Sequence, residues 1–276
     1  MDLTLEIRRN VERALEEDMG SGDLTAALIP AGARARARVI SRQAAVLCGG
    51  PWFQSCFSQL DPAAEIRWLA QEGDAMAPDQ TLCEIQGNAR ALLSAERPAL
   101  NFLQLLSGTA TRVRRYVDAI RGTRSIIVDT RKTLPGLRLA QKYAVRVGGG
   151  TNHRMGLYDG ILIKENHIAA AGGIRPALDQ ARQTAANVPI QVEVENLVQL
   201  EEALAAGAKL ILLDNFDLPA LRQAVKQTGG RAVLEASGGI TLKNVGAVAQ
   251  TGVGRISIGA LTKDVEAIDL SLRMIE

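Results

Sequence analysis

Six short apolar runs in the second half of this 276-residue chain end in residues able to do chemistry. Asp129-Thr130-Arg131-Lys132 follows SIIV, and Lys164-Glu165-Asn166-His167 follows GILI. Glu193, Glu195 and Asn196 lie within QVEVEN, and Asp214-Asn215 follows LILL. Glu235-Ala236-Ser237-Gly238-Gly239 follows AVL, and Gly259-Ala260-Leu261-Thr262 follows RISI. One polar strand end is an ordinary turn. Six in register match the way a (β/α) barrel gathers its chemistry at the C-terminal ends of its strands.

The residue types divide into three sets. Arg131, Lys132, Arg154 and Lys164 are cations at or just before strand ends. Arginine forks grip carboxylates at two points, whereas lysine acts as a point charge. Converging cations repel one another unless a multiply charged anion enters, although Arg131 could instead pair with Asp129 and Arg154 with Asp159. Glu193 and Asp214 form the acidic set. They could hold sugar hydroxyls, coordinate Mg²⁺, or balance the cations, with Lys164 as the structural partner. The third set is glycine-rich: SGGI around Ser237, Gly238 and Gly239, and SIGAL around Ile258, Gly259 and Ala260. Such turns let a phosphate approach backbone N–H groups, and barrels often hold phosphate after their last two strands. His153 sits in GGGTNHRMG beside Arg154, in a setting for ligand contact. His167 lacks that setting and reads as a local hydrogen-bonding residue.

The elements that must carry these residues follow from periodicity. Strands are expected at 125–128, 160–163, 190–194, 210–213, 232–234 and 255–258. Helical patterns such as LVQLEEALAAG and LPALRQAVKQTG lie between several of them. This alternation predicts a parallel sheet with helical crossovers, more simply closed as a barrel than laid open. A doubly wound sheet is the alternative, but no GxGxxG follows the first strand of the set. Earlier in the chain, Leu3, Ile7, Val11, Ala14 and Leu15 recur at helical spacing. Residues 33–47 read as one extended segment with Arg34, Arg36 and Arg38 on a wet face. A short helix is expected over 51–60, short strands with turns over 64–87, and a helix over 94–120 opened by a Ser94 cap with Pro98 near its start. The fold class is therefore α/β, with domains at 1–110 and 111–276 and the possibility that the C-terminal segment returns to the first.

Hydrophobic residues at 47% and charged residues at 22% describe a globular chain. Aromatics at 3% argue against base stacking on exposed rings. Net charge is only +2, yet residues 112–164 carry +9 and the remainder −7. That asymmetry suits a pocket for an anionic small molecule better than nucleic acid. The charged N-terminus and the lack of a long apolar run point to the cytoplasm and to no membrane partner. Cys48, Cys56 and Cys83 fit neither a disulfide framework nor a zinc site and read as small hydrophobes.

At this point the residues resemble a known family, quinolinate phosphoribosyltransferase. The resemblance is carried by EEDMGSGDLT, ERPALNFLQLLSGTAT, DTRKTLPGLR, KYAVRVGGGTNHRMGLYDGILIKENH, VEVEN, LLDNF, EASGGIT and SIGALTKDVEAIDLSL, nearly the whole chain. Val147, where family members often carry cysteine, is a mild departure. The resemblance implies an N-terminal α/β sandwich and a C-terminal open α/β barrel. It also implies a homodimer, or an assembly of dimers, with active sites shared between subunits. By motif, it implies that quinolinate carboxylates meet Arg131, Lys132, His153 and Arg154, with Arg97 reaching in from the neighbouring subunit. Thr130 stands beside them and Lys164 near both ligands. Glu193 and Asp214 would face the ribose side of phosphoribosyl pyrophosphate with Mg²⁺, and Ser237, Gly238, Gly239, Ile258, Gly259 and Ala260 its phosphates. Lys132, Lys164, Glu193 and Asp214 are the catalytic candidates.

Three rivals stand beside this reading. A related phosphoribosyltransferase acting on another acid, like the pyrophosphorylase-like protein found with molybdenum transport genes, would not need the whole set Arg131, Lys132, His153 and Arg154 if its substrate had one carboxylate. A Schiff-base aldolase would use Lys164 and trap with borohydride. A non-catalytic anion-binding protein would release no carbon dioxide.

Overall fold

A computed structural model describes residues 2–184 and 187–275. The chain divides into two compact units. The first comprises Met1–Arg114, Thr133–Gly149 and Asp264–Glu276, and the second Arg115–Lys132 and Gly150–Lys263.

In chain order the first unit begins with α1 (Thr4–Met19), β1 (Arg34–Ser41), β2 (Ala45–Val46) and α2 (Gly50–Leu60). Then come β3 (Glu65–Trp68), β4 (Ala75–Met76), β5 (Thr81–Asn88) and the long helix α3 (Ala89–Ala119). An antiparallel sheet in the order β12-β1-β5-β3 forms its floor, where β12 is the C-terminal strand Leu270–Ile275. Along β1, Arg34, Arg36 and Arg38 are exposed while Ala37 and Val39 are buried, the alternation expected of a strand with one wet face. The extended segment expected over 33–47 is interrupted: Ser41 ends β1, and the two-residue β2 pairs separately with β4.

Helix α3 starts earlier than its sequence suggested. Asn88, not Ser94, caps it: the Asn88 Oδ1 accepts from the backbone N–H of Arg90 and Ala91 at 3.0 and 3.2 Å. Ser94 is buried within the helix and its hydroxyl donates to Asp23 Oδ2 at 2.7 Å. Pro98 is an interior residue. The helix tolerates the lost N–H because Leu92, Ala95, Ala99, Leu103 and Leu106 line one face and are all buried in the core. Helix α4 (Arg138–Val147), not foreseen from sequence, also belongs to this unit.

The second unit is built on β6 (Ile126–Val128), β7 (Ile161–Ile163), β8 (Ile190–Val194), β9 (Leu210–Asp214), β10 (Val233–Ser237) and β11 (Arg255–Ser257). These make one parallel sheet in the order β6-β11-β10-β9-β8-β7. From β7 to β11 each strand lies beside its predecessor, so every crossover advances in the same direction. Right-handed crossovers that all advance one way place their helices on one face, and the other face must curl upon itself. The crossover helices are α5 (Glu165–Ala171) and α6 (Ile174–Thr184), α7 (Leu197–Ala205), α8 (Leu218–Thr228) and α9 (Val245–Ala249), and α10 (Ala260–Lys263) follows β11. Among the described residues no ladder joins β6 to β7. Thr151 bridges to Val128 instead, with Thr151 N–H on Ile127 O at 2.8 Å and Asp129 N–H on Thr151 O at 3.1 Å. The barrel is open, and the segment beginning at Thr151 lines β6 at the seam.

Gly108 offers a test of the packing in the first unit. A Cβ there would run into the backbone carbonyl of Glu266. Helix propensity alone favours alanine by about 1 kcal/mol. The contact predicts the opposite sign: Gly108→Ala should lose about 1–3 kcal/mol through overpacking, read by chemical denaturation.

Candidate active site

All strand-end residues singled out from sequence fall in the second unit, and Arg97 alone falls in the first, exposed on α3. The parallel register places Lys164, just beyond β7, beside Glu193 on β8, and their side chains meet at 3.4 Å. Glu193 is nearly buried, with 12% of its side chain exposed, while Lys164 is half exposed. Burial raises the pKa of Glu193, Lys164 pulls it back, and the Asp214 carboxylate raises it again. The two acids are thus close enough to feel each other. Asp214 ends β9, and its Oδ2 accepts from the Asn215 side-chain amide at 2.8 Å. His167 acts locally, as expected: its Nδ1 accepts from the Lys164 backbone N–H at 3.1 Å, helping to cap α5.

The loop after β10 needs its glycine. Asn215 holds a left-handed φ of 57°, and its N–H donates to Ser237 O at 2.9 Å. This brings the Asn215 side chain against Gly238, where any Cβ would collide with Asn215 Oδ1. Asn244 closes the far side of the loop, accepting from Thr241 N–H at 2.7 Å and donating to Gly239 O at 3.1 Å. The loop after β11 meets the loop after β6. The Lys132 stem lies on Gly259, where a Cβ would stand 3.0 Å from Lys132 Cδ. Thr262 Oγ1 donates to Lys132 O at 2.8 Å, and the Lys132 N–H donates to Thr130 Oγ1 at 3.1 Å. Ile258 is buried, and its N–H reaches Val128 O at 3.0 Å. The glycine-rich turn after β11 and the basic loop after β6 are therefore one assembly.

The seam segment carries the remaining cation. Asp129 has no solvent exposure; its Oδ1 accepts from His153 N–H at 2.7 Å and its Oδ2 from the Asn152 side chain at 2.8 Å. Arg154 follows, with its guanidinium donating to Gly160 O at 2.9 Å. Burial lowers the Arg154 pKa first, proximity to Arg131 lowers it further, and Asp159 opposes both. Asp159 accepts the backbone N–H groups of Met155 and Gly156 at 2.8 and 2.9 Å, tying the following turn. The Arg131 and Arg154 guanidiniums thus lie near enough for each to disfavour the other's charge.

One strand-end residue, Glu235, proves to be an interior charge, which its sequence setting did not predict. Glu235 is fully buried on β10, and Arg255 on β11 donates to it at 2.8 Å. Only the parallel register, which sets it directly opposite Arg255, shows this pairing. For a divalent metal, the described residues contain no cluster of three or more His, Cys, Asp or Glu side chains able to hold one. The neighbouring Glu193 and Asp214 do offer the one or two carboxylates by which Mg²⁺ is usually held when substrate phosphates complete its shell.

Comparison with known proteins agrees along the whole chain. The family model for the N-terminal domain of quinolinate phosphoribosyl transferase matches residues 23–107, and that for its C-terminal domain matches residues 109–273. A probable nicotinate-nucleotide pyrophosphorylase (carboxylating) of Bacillus subtilis is 43% identical over 269 residues, covering 97% of this chain and 93% of that protein. A nicotinate-nucleotide pyrophosphorylase (carboxylating) of Mycobacterium leprae is 43% identical over 272 residues, covering 96% of each. The solved nicotinate-nucleotide pyrophosphorylase of Francisella tularensis superposes with a TM-score of 0.95 at 42% identity, over 100% of this chain and 98% of that one.

The raised pKa of Glu193 predicts a pH effect on stability. Between the ordinary value of 4.5 and the raised one, the folded state binds more protons than the unfolded state. Stability from this group is therefore greatest below 4.5 and is lost as pH rises through the raised value. Glu193→Gln should remove that part of the slope, measured by denaturant unfolding of both proteins across the window.

Proposed function

The chain belongs to the quinolinate phosphoribosyl transferase family, and from that premise we infer how its strand ends carry out the family's reaction. The enzyme transfers the phosphoribosyl group of phosphoribosyl pyrophosphate to quinolinate with loss of carbon dioxide, giving nicotinate mononucleotide for NAD biosynthesis. The observation that supports the assignment of residues is that one unit pairs Lys164 with Glu193 at 3.4 Å and seats the Lys132 stem on Gly259 of the glycine-rich turn after β11.

In this reading Arg131, Lys132, His153 and Arg154 receive the two carboxylates of quinolinate, with Thr130 beside them. Lys164 stands between the two ligands. Ser237, Gly238, Gly239, Ile258, Gly259 and Ala260 present the phosphate-binding turns. The pyridine nitrogen attacks the anomeric carbon of the ribose as the bond to pyrophosphate breaks. Positive charge builds on the sugar as in other glycosyl transfers, and Glu193 and Asp214 hold negative charge beside it. Lys132 and Lys164 stabilise the departing pyrophosphate. Mg²⁺ bound with phosphoribosyl pyrophosphate, held by Glu193 and Asp214, would supply further neutralisation of the phosphates. The new pyridinium then accepts the electron pair left when the adjacent carboxylate departs as carbon dioxide, and a proton fills that carbon. Positioning carries more of the acceleration than proton transfer.

Arg97 enters from the neighbouring subunit of a homodimer, or of a larger assembly built from dimers. The cytoplasm is the proposed location. Cys48, Cys56 and Cys83 are free thiols in the core, with burial pushing Cys56 and Cys83 up to about 12, which suits a reducing compartment.

Arg131→Ala should weaken quinolinate binding by roughly 2–5 kcal/mol, while the affinity for phosphoribosyl pyrophosphate is kept. Titration calorimetry with each ligand reads both. Normal quinolinate binding with loss of pyrophosphate release alone would place Arg131 elsewhere in the reaction. Mixing Arg97→Ala subunits with Lys132→Ala subunits should restore part of the activity that each lacks alone. Verified heterodimers with no recovery would rule out a shared site.

A further inference from the structure

Beneath the strand ends, four side chains of the second unit form a line through His153. Arg255 Nε donates to Glu235 Oε2 at 2.8 Å, and Glu235 Oε1 lies 3.7 Å from His153 Nε2. Gln191 on β8 places its Oε1 2.8 Å from the same nitrogen. The other ring nitrogen, Nδ1, accepts the backbone N–H of Arg154 at 2.8 Å. An acceptor nitrogen carries no proton, so the imidazole proton must sit on Nε2 and point toward Gln191 and Glu235. Gln191 must then face the ring with its oxygen, which leaves its buried Nε2 without a hydrogen-bond partner, and Glu235 Oε1 is likewise buried without one. Both carriers of unpartnered atoms are almost fully enclosed, at 2% and 0% exposure. Such groups are kept in an interior at a cost, and here both residues have an oxygen near one ring nitrogen, at 2.8 and 3.7 Å.

We propose that Glu235 is a positioning residue for the reaction, which with Gln191 fixes the tautomer and tilt of His153 and through it the backbone that presents Arg154. The proposal deepens the reading of the site given above and rests on it for the ligand concerned, quinolinate. The chain of cause runs upward. Arg255 holds the Glu235 carboxylate in place. Gln191 accepts the Nε2–H at 2.8 Å and the Glu235 carboxylate favours it electrostatically from 3.7 Å, which keeps Nδ1 open to the Arg154 N–H. The Arg154 fork is thereby aimed from a backbone anchored at two points, the imidazole and Asp129.

The chain contains only two histidines, His153 and His167, so imidazole ¹⁵N NMR on the full-length protein separates them, with His167→Gln for assignment. The wild type should show His153 as the Nε2–H tautomer. Glu235→Gln and Gln191→Leu should each move it toward a mixture of tautomers. In steady-state kinetics each should raise the KM for quinolinate by roughly ten- to a hundredfold, as expected of a misplaced binding group, while the KM for phosphoribosyl pyrophosphate stays unchanged. Glu235→Gln leaves Arg255 without its partner and could fail to fold. The double variant Glu235→Gln with Arg255→Met removes both charges and should give the same two changes. A His153 spectrum identical to wild type in all folded variants would overturn the proposal. So would equal rises in both KM values, or a tautomer change with neither KM altered. If the wild type does not turn over quinolinate at all, the assigned function fails, whereas the NMR shifts still decide whether Glu235 governs His153.

Discussion

A carboxylate with no solvent exposure must find donors, and Asp129 finds them on the segment that carries His153 and Arg154. That segment fills the place at the seam where a closing ladder between β6 and β7 would otherwise run. Among the described residues Thr151 is its one β-bridge to β6, and its course afterwards is tied by the hydrogen bonds that the Asp129 oxygens accept. Each hydrogen bond to a charged group is worth about 1.5–3 kcal/mol, and a buried charge left without them costs more. The open barrel therefore turns a weak edge into a fixed one. Two cationic side chains follow from opposite directions: Arg131 two residues after Asp129, and Arg154 one residue after the His153 N–H that Asp129 binds.

Around that anchor the charges are sorted by strand. Basic residues leave β6 and the seam, and acidic ones stand on β8 and at the end of β9. Lys164 lies between the groups and pairs with Glu193. The arrangement suits a reaction that joins two polyanions through a centre that becomes positive. In the proposed reading the basic set neutralises the acceptor and the acidic set serves the sugar. Burial is the first cause both of the raised pKa of Glu193 and of the lowered pKa of Arg154, so each charged form is held at a cost. The glycine turns add contact without side chains, and Gly238 shows why: the space its Cβ would take is occupied by Asn215, whose own left-handed backbone closes the preceding loop.

Much of this was legible in the sequence because buried parallel strands read as short apolar runs. All six were located to within a few residues, and their polar ends do lie at the C-terminal ends of the parallel strands or in the loops that follow them. Pairings across strands were not legible. Glu235 reads as one more polar strand end, and only the register that sets it against Arg255 and near His153 shows it as an interior charge. Helix α3 was misjudged at its start because Ser94 and Pro98 are strong local signals, and a continuous buried face overrode them. The return of residues 133–149 to the first unit depends on contacts distant in sequence, which no local period encodes. The identity of the acceptor acid came from the family resemblance, since cation spacing specifies a polyanion and not which one.

The central claim is that one set of strand ends couples pyrophosphate displacement to decarboxylation. Its most direct measurement uses quinolinate carrying an isotopic label in the carboxylate next to the ring nitrogen, with phosphoribosyl pyrophosphate and Mg²⁺. Labelled carbon dioxide, pyrophosphate and nicotinate mononucleotide should form in equal amounts. Pyrophosphate release without labelled carbon dioxide, or no turnover of quinolinate by folded protein, would contradict it.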